Sequence, residues 1–147
     1  MSSQSKNVLL INGPNLNMLG KREPQMYGST TLDDIVADIK QQGLKLNIII
    51  EAFQSNSEGE IIEKIQSSFT TIHGLIINPA AYTHTSIAIR DAILLLDVPV
   101  IEIHLSNIYK RESFRHKSMM AGVVTGQIAG FGSFGYKMAL DAMKELI

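Results

Sequence analysis

The chain has 147 residues, with 13 Lys or Arg against 14 Asp or Glu, and its formal net charge is -1. This length fits one domain with a single core, and 45% hydrophobic residues argue against disorder. The nearly neutral charge argues against nucleic acid or an anionic membrane as the partner. Because there is no cysteine, disulfides, thiolate nucleophiles and thiolate metal sites are excluded, and a cytoplasmic protein is expected.

The N-terminal part of the chain predicts a strand, a lid and a helix. An apolar run at Val8 to Ile11 predicts the first strand, and the polar residues 1–6 before it are expected to form a flexible N-terminus without a targeting signal. The segment Gly20 to Gly28 is bracketed by glycines and is long for a strand-to-helix connection, which predicts an active-site lid. The helix after it has cap candidates at Ser29 to Thr31 and is expected to end at Gly43.

The middle of the chain predicts two further strands, each followed by a helix. The second strand is expected at Leu46 to Ala52. A helix then begins at Ser57, with Glu60 at the spacing of a capping box. The third strand is expected at Leu75 to Ile77, and a helix runs roughly from Ser86 to Leu96.

The C-terminal part completes an α/β pattern. Strands are expected at Val98 to Ile103 and at Ala121 to Ile128, and a final helix from about Gly135 to Leu146. Between these strands, the mixed charges of Lys110 to Lys117 are typical of a solvated helix. Apolar strands without clean alternation are typical of parallel strands covered on both faces. The sequence therefore predicts one domain, residues 1–147, with a three-layer, doubly wound, five-stranded parallel sheet of flavodoxin-like order.

Polar residues follow four of the predicted strands. They are Asn12-Gly13-Pro14-Asn15, Gln54-Ser55-Asn56-Ser57, Asn78-Pro79, and His104 with Ser106-Asn107. In a doubly wound sheet, ligands bind beyond the carboxyl ends of the strands. Neutral amides and hydroxyls converging there favour a small, polyhydroxylated ligand.

Glu102 and His104 are two residues apart in a predicted strand, so their side chains leave on the same face. A carboxylate in that position can fix the tautomer and orientation of an imidazole. The alternative is a core histidine with a structural role, but the location at the end of a strand favours function. His84, between the third strand and the third helix, has the alternative role of a helix cap.

Two charged segments add further candidates. Arg22 can lie near Tyr27 in the predicted lid, and a nearby guanidinium would lower the pKa of the phenol. The alternative is an exposed tyrosine beside a solvated arginine. Within the mixed-charge segment, Arg115 can reach a ligand from the rim of the sheet.

A literal dinucleotide-binding motif, Gly130-x-Gly132-x-x-Gly135, lies close to the C-terminus. Only twelve residues follow it, so no next strand supplies an acidic residue for a ribose, and no nicotinamide cofactor is expected. The first strand ends in Asn rather than in the acidic cluster of a phospho-receiver domain. A serine-nucleophile elbow, Gly-x-Ser-x-Gly, is also absent from the sequence.

Four blocks in order along the chain resemble the type II 3-dehydroquinases. The blocks are NGPNLNMLGKREPQMYG (12–28), QSNSEGE (54–60), NPAAYTHTSIAIRDA (78–92) and IEIHLSNIYKRESFR (101–115). The resemblance spans nearly the whole chain. It implies a lyase that converts 3-dehydroquinate to 3-dehydroshikimate, in the shikimate pathway of aromatic biosynthesis or in quinate breakdown, with no metal and no cofactor. The type I enzymes use a Schiff-base lysine on a larger barrel, for which this chain is too short.

The resemblance also implies residue roles. Tyr27 would be the base, Arg22 its activator, and His104 the acid, oriented by Glu102, while Asn15 would stabilise an enolate through a water. The expected substrate-holding residues are Asn78, His84, Asp91, Leu105, Ser106 and Arg115. Asp91 is expected to come from a neighbouring subunit, because the family forms trimers that assemble into dodecamers.

Two residues depart from the family pattern. Ser57 stands where many relatives carry His and is expected to alter contacts at the mouth of the site. Ala80 stands where many carry Gly, which predicts that this loop does not require a positive φ. The competing hypothesis for the whole chain is a non-catalytic module that binds a sugar acid or a nucleotide, for which Tyr27, Arg22 and His104 would be unnecessary.

Overall fold

The computed structural model describes residues 4–21 and 28–147. Within them lie five β-strands and four α-helices, which alternate over most of the chain. The strands are β1 (Lys6–Asn12), β2 (Ile48–Gln54), β3 (Gly74–Asn78), β4 (Val100–His104) and β5 (Gly126–Ala129). The helices are α1 (Leu32–Lys45), α2 (Glu58–Ser68), α3 (Ile87–Ile93) and α4 (Phe134–Leu146). No helix in the described residues is long and apolar enough to cross a bilayer.

The five described strands form one parallel sheet in the order β2-β1-β3-β4-β5. This is the predicted doubly wound, flavodoxin-like order. Asn12 lies opposite Gln54 of β2 and Asn78 of β3. All strands point the same way, so the polar residues at their carboxyl ends meet at one edge of the sheet.

Two apolar clusters cover the two faces of the sheet and make the three layers. One packs α1 and α4 against one face through residues such as Ile39 and Leu140, and the other packs α2 and α3 against the opposite face through Ile61 and Ile89. The strands supply both clusters, because successive side chains leave on opposite faces. Residues Leu9 and Leu10 of β1 illustrate this, since each is fully buried in a different cluster.

The structure has a complete capping box at the start of α1 and only one of the two capping hydrogen bonds at the start of α2. Thr31 accepts a hydrogen bond from the backbone of Asp34, whose carboxylate accepts in return from the Thr31 backbone, so α1 begins with a closed capping box. Ser57 caps α2 through the Glu60 backbone. The Glu60 carboxylate accepts instead from the Ser55 hydroxyl at 2.5 Å, so the predicted box at α2 is not closed.

Three predicted elements differ most from the structure, while the bounds of β2, β4 and α3 differ from the predicted ones by at most three residues. The residues from Lys110 to Lys117 do not form a helix; two short 3-10 turns, Ile108–Lys110 and Ser113–Arg115, lie in this region. β5 begins at Gly126 rather than Ala121, and α1 continues past Gly43 to Lys45. Gly43 permits a close approach of the chain rather than ending the helix, because a Cβ there would lie 2.7 Å from the Ile48 carbonyl oxygen.

Candidate active site

A cavity of about 340 Å³ lies at the carboxyl ends of β1, β3 and β4. Seven of the predicted site residues line it: Asn15, Asn78, His84, His104, Leu105, Ser106 and Arg115. The last residues of β3 and β4 and the loops after β1, β3 and β4 supply them, so the cavity forms only when the parallel sheet has assembled. Its volume suits a small ligand.

Glu102 and His104 form a buried pair beside this cavity. His104 Nε2 lies 2.7 Å from Glu102 Oε2, and the two residues are 6% and 0% exposed. An ionised carboxylate only accepts hydrogen bonds, so His104 holds a proton on Nε2. Nδ1 is then the ring nitrogen that remains to serve a ligand in the cavity.

Three further side chains donate hydrogen bonds to the Glu102 carboxylate. The hydroxyl of Thr83 lies 2.7 Å from Oε2, the Ser118 hydroxyl lies 2.9 and 2.8 Å from the two oxygens, and Gln127 Nε2 lies 2.8 Å from Oε1. Burial by itself raises the pKa of Glu102. The hydrogen bonds from His104, Thr83 and Ser118 outweigh it, so the pKa lies below its usual value and the carboxyl stays ionised.

Sequence reasoning did not assign roles to Thr83, Ser118 or Gln127. Gln127 had a usable signal, because it is a polar residue within a predicted apolar strand, and the structure pairs it with Glu102 across β4 and β5. Thr83 and Ser118 lie in connections whose paths the sequence did not specify.

His84 faces the same site and does not cap α3. Its ring stacks on that of His104, with centroids 6.4 Å apart and planes inclined by 20°. Its Nδ1 lies 2.9 Å from the Lys117 carbonyl oxygen, so Nδ1 donates and Nε2 is left for a ligand. The cap of α3 is Ser86, whose hydroxyl accepts from the Ile89 backbone at 2.9 Å.

Asn15 is held at the cavity by its backbone. It has a φ of 70°, in the left-handed region that asparagine tolerates better than most residues. Its N–H donates to Asn56 Oδ1 at 3.0 Å, and Gln54 Nε2 donates to the same oxygen at 3.2 Å. The loops after β1 and β2 are therefore joined by hydrogen bonds. Ser57 is not among the described residues that line the cavity, and it caps α2 instead.

Asn78 is 2% exposed and ends β3 at the cavity wall. Its Oδ1 accepts from the Ala80 N–H at 3.1 Å, and its Nδ2 donates to the Tyr136 hydroxyl at 3.0 Å. Ala80 has a φ of 53°, so the prediction that this loop does not require a positive φ is wrong. An L-residue in this region costs roughly 1–2 kcal/mol, and the hydrogen bond to Asn78 helps to hold it there.

Arg115 lines the cavity as predicted, and Arg111 lines it as well. Arg115 Nε donates to Glu112 Oε1 at 2.9 Å, a contact that aligns the guanidinium at the rim. Sequence reasoning did not single out Arg111. Because this segment is not an α-helix, the four-residue spacing of Arg111 and Arg115 did not indicate that both reach the cavity.

The glycines of the apparent dinucleotide motif serve the turn after β5. Gly130 and Gly132 have φ values of 97° and 60°. Their N–H groups donate to the carbonyl oxygens of His104 and Leu105, at 3.3 and 2.9 Å. They therefore fix the chain that follows the Glu102–His104 strand, and this structural role accounts for Gly130 and Gly132 of the motif.

Three predicted residues are not brought to the cavity by the described structure. Asp91 is exposed on α3, where its carboxylate lies 3.7 Å from the Arg90 guanidinium, and it does not line the cavity of its own chain. Arg22 and Tyr27, with the predicted pKa effect between them, lie outside the described residues. Among residues 4–21 and 28–147, no group of three His, Asp or Glu side chains could hold a metal ion.

Comparisons with known proteins agree with the geometry. The family model for dehydroquinase class II matches residues 6–144. The 3-dehydroquinate dehydratase of Aeromonas salmonicida is 53% identical over 140 residues, which are 95% of this chain and 94% of that protein. The enzyme of the same name from Geotalea daltonii is 57% identical over 136 residues, covering 92% and 94%.

A solved structure gives the same result for the fold. The crystal structure of type II dehydroquinase from Propionibacterium acnes superposes with a TM-score of 0.93 at 45% identity, covering 98% of this chain and 99% of that one. The resemblance of the four sequence blocks is thus confirmed over residues 6–144. This chain belongs to the class II dehydroquinase family.

Proposed function

We propose that this protein is a 3-dehydroquinate dehydratase that forms 3-dehydroshikimate by loss of water through an enolate. The observation that carries the proposal is the buried Glu102–His104 pair, 2.7 Å apart, beside a cavity lined by Asn15, Asn78 and Arg115. Family membership and the names of the relatives support the same activity.

The first step removes the proton next to the substrate ketone. Tyr27 is the proposed base, with its phenolate favoured by the Arg22 guanidinium, in the proposed lid at residues 20–28. The electron pair of the C–H bond moves into the enolate. Asn15, which the structure holds at the cavity by its backbone, stabilises the enolate oxygen through a water.

The second step expels the β-hydroxyl. The enolate collapses, the carbon–oxygen bond breaks, and the leaving hydroxyl takes a proton from His104 and departs as water. Because Nε2 is engaged with Glu102, the proton comes from Nδ1. Before this transfer His104 is an imidazolium, whose positive charge the Glu102 carboxylate stabilises. The same carboxylate keeps the ring in place.

The remaining polar groups hold the substrate. Asn78, His84, Ser106 and Arg115 line the cavity and offer donors and acceptors to the hydroxyl and carboxylate oxygens, and the backbone of Leu105 lies beside them. The substrate is a β-hydroxy ketone, so its dehydration needs a base, an acid and an oxyanion stabiliser. We therefore expect turnover that depends on no metal and no cofactor.

The proposal extends to the assembly and setting of the enzyme. A homotrimer, gathered into a dodecamer, would place Asp91 of one subunit at the site of the next. In support, Asp91 is exposed and is not among the described residues that line the cavity of its own chain. The proposed setting is the cytoplasm and aromatic biosynthesis, which accords with a chain that has no cysteine.

The test is a dehydratase assay with a variant that removes the proposed base. Purified protein is mixed with 3-dehydroquinate, with and without a chelator, and the ultraviolet absorbance of the conjugated enone product is followed. We expect a rise that the chelator does not change and that Tyr27→Phe lowers by at least about 10²-fold. Tyr109→Phe, at an exposed tyrosine, is the matched control and should behave as the wild type.

Two outcomes would contradict the proposal. A flat trace from folded wild-type protein, together with substrate binding by calorimetry, would favour a non-catalytic binding module. A rate that Tyr27→Phe leaves unchanged would remove Tyr27 from the role of base.

A further inference from the structure

Tyr136 of α4 links the ends of β1 and β3 through a buried chain of hydrogen bonds. Its hydroxyl donates to Asn12 Oδ1 at 2.6 Å and accepts from Asn78 Nδ2 at 3.0 Å. All three residues are buried, with exposures of 1–2%. Burial raises the pKa of the Tyr136 phenol above its usual value, although the hydrogen bond from Asn78 opposes the rise. The hydroxyl therefore keeps its proton and donates it in the hydrogen bond to Asn12 Oδ1.

The two ends of the Asn78 amide are held by different partners. The Ala80 N–H donates to its oxygen, and the Tyr136 hydroxyl oxygen accepts from its nitrogen. An amide turned by 180° would set its NH2 group against the Ala80 N–H, and two donors would face each other. In the observed orientation, Asn78 keeps one N–H and one lone pair for other partners, and it lines the cavity.

Asn12 carries a buried amide nitrogen whose position does not favour the stability of the fold. Its Nδ2 is buried and has no hydrogen-bond partner in the part of the chain that the structure describes. An unsatisfied buried donor lowers stability and calls for a reason. What Asn12 does supply is an oxygen that accepts the hydrogen bond from the Tyr136 hydroxyl. That contact sets the direction of both hydrogen bonds between Asn12, Tyr136 and Asn78.

We propose that Tyr136 is a positioning residue, which fixes the direction in which Asn78 presents its free N–H and lone pair to the substrate. Tyr136 acts through Asn78, because it does not itself line the cavity among the described residues. This inference rests on the proposed function, in which Asn78 holds the substrate.

The experiment compares Tyr136→Phe, Asn78→Ala and the double variant in the dehydratase assay. We expect Tyr136→Phe to raise KM about tenfold and to change kcat by less than about threefold, since it removes binding shared by ground and transition states. If Tyr136 acts through Asn78, adding Tyr136→Phe to Asn78→Ala should change KM by less than about twofold, because effects within one network are not additive. An equal KM increase in both backgrounds would overturn the inference.

Controls separate this role from a purely structural one. Ile65→Val removes one methyl group from the cluster on the opposite face, so it should lower the unfolding midpoint without changing KM. If Tyr136→Phe does not fold, Asn12→Ala removes the acceptor of the Tyr136 proton and should raise KM in the same way. An inactive wild type would overturn both proposals, whereas an active wild type whose folded variants keep the normal KM would overturn only the role of Tyr136.

Discussion

Glu102 keeps its charge inside the protein because four neighbouring side chains donate hydrogen bonds to it. These donors come from separate parts of the fold: His104 from the same strand, Gln127 from β5, and Thr83 and Ser118 from two connections. The arrangement serves the proposed site, since an ionised Glu102 accepts a hydrogen bond from the Nε2–H of His104 and leaves Nδ1 free of that contact. Losing the charge should therefore affect both stability and catalysis.

The first prediction concerns Glu102→Gln. At pH 7 we expect the free energy of unfolding to fall by about 2 kcal/mol, because hydrogen bonds to a charged group are lost and a new NH2 group faces other donors. We expect kcat to fall about 10²-fold, since His104 loses its orienting partner. Urea unfolding and the enone assay measure the two effects. Glu51→Gln, at an exposed ion pair with Lys64, is the control and should change stability by less than about 1 kcal/mol.

The stability effect should also depend on pH. The folded pKa of Glu102 lies below the usual value of 4.5, so the stabilisation is complete above that value and is lost as the pH falls through the lower, folded pKa. The difference between wild type and Glu102→Gln should therefore shrink on acidification below pH 4.5. A difference that stays constant or grows there would contradict the depressed pKa.

The loops after β1 and β3 approach each other closely at one glycine. The Gly13 N–H donates to the Asn78 carbonyl oxygen at 2.8 Å, and a Cβ on Gly13 would lie only 2.5 Å from the Pro79 carbonyl oxygen. The atoms that a Cβ on Gly13 would meet belong to the backbone of Asn78 and Pro79, so no side-chain rotation can relieve the clash. This approach lets Asn15 and Asn78 line the same cavity although different strands carry them.

The second prediction therefore concerns two glycines that differ in their surroundings. Gly13→Ala should lower the free energy of unfolding by about 2 kcal/mol through overpacking, and should raise KM. Gly59→Ala should raise the free energy of unfolding by roughly 0.5–1 kcal/mol, because Gly59 lies within α2 and its Cβ would meet only the Ser57 hydroxyl, at 3.8 Å. Urea unfolding of both variants gives the comparison. Stability changes of the same sign would contradict the close approach at Gly13.

At the scale of the whole molecule, one predicted site residue lies apart from the cavity. Asp91 is on α3, and this part of the surface also exposes three large apolar side chains, Ile87, Leu94 and Leu95, each by more than half. Exposed apolar residues close together are typical of surfaces that other proteins cover. Both observations support a trimer in which each site is completed by its neighbour.

The third prediction is complementation between two inactive variants. Tyr27→Phe supplies a normal Asp91, and Asp91→Ala supplies a normal Tyr27. When the two are unfolded together and refolded as a mixture, about a quarter of the sites should have both residues intact if Asp91 comes from the neighbouring subunit. The enone assay on the mixture measures the dehydratase activity that is recovered. Each variant refolded alone is the control. No recovery from mixed oligomers, verified by native mass spectrometry, would place Asp91 in the site of its own chain or in none.

Much of the fold was predictable from local patterns. The apolar runs located all five strands, and Thr31, Ser57 and Ser86 cap helices whose starts the sequence indicated. The errors have physical causes. The charges between Lys110 and Lys117 suit a solvated helix, but a tertiary contact of the His84 ring with the Lys117 carbonyl oxygen holds the chain there. Ala80 adopts a positive φ because Asn78 binds its N–H.

By itself, the sequence determined the parallel sheet, the edge of the sheet at which the polar residues meet, and the pairing of Glu102 with His104, because each depends on spacing along one strand or on alternation of strands and helices. The four ordered blocks also determined the family. Only the tertiary structure decided which donors reach the Glu102 carboxylate and that Tyr136 and Asn12 hold Asn78. Those contacts join residues from 16 to 124 positions apart, and such distances close only when the sheet and its two helical layers pack together.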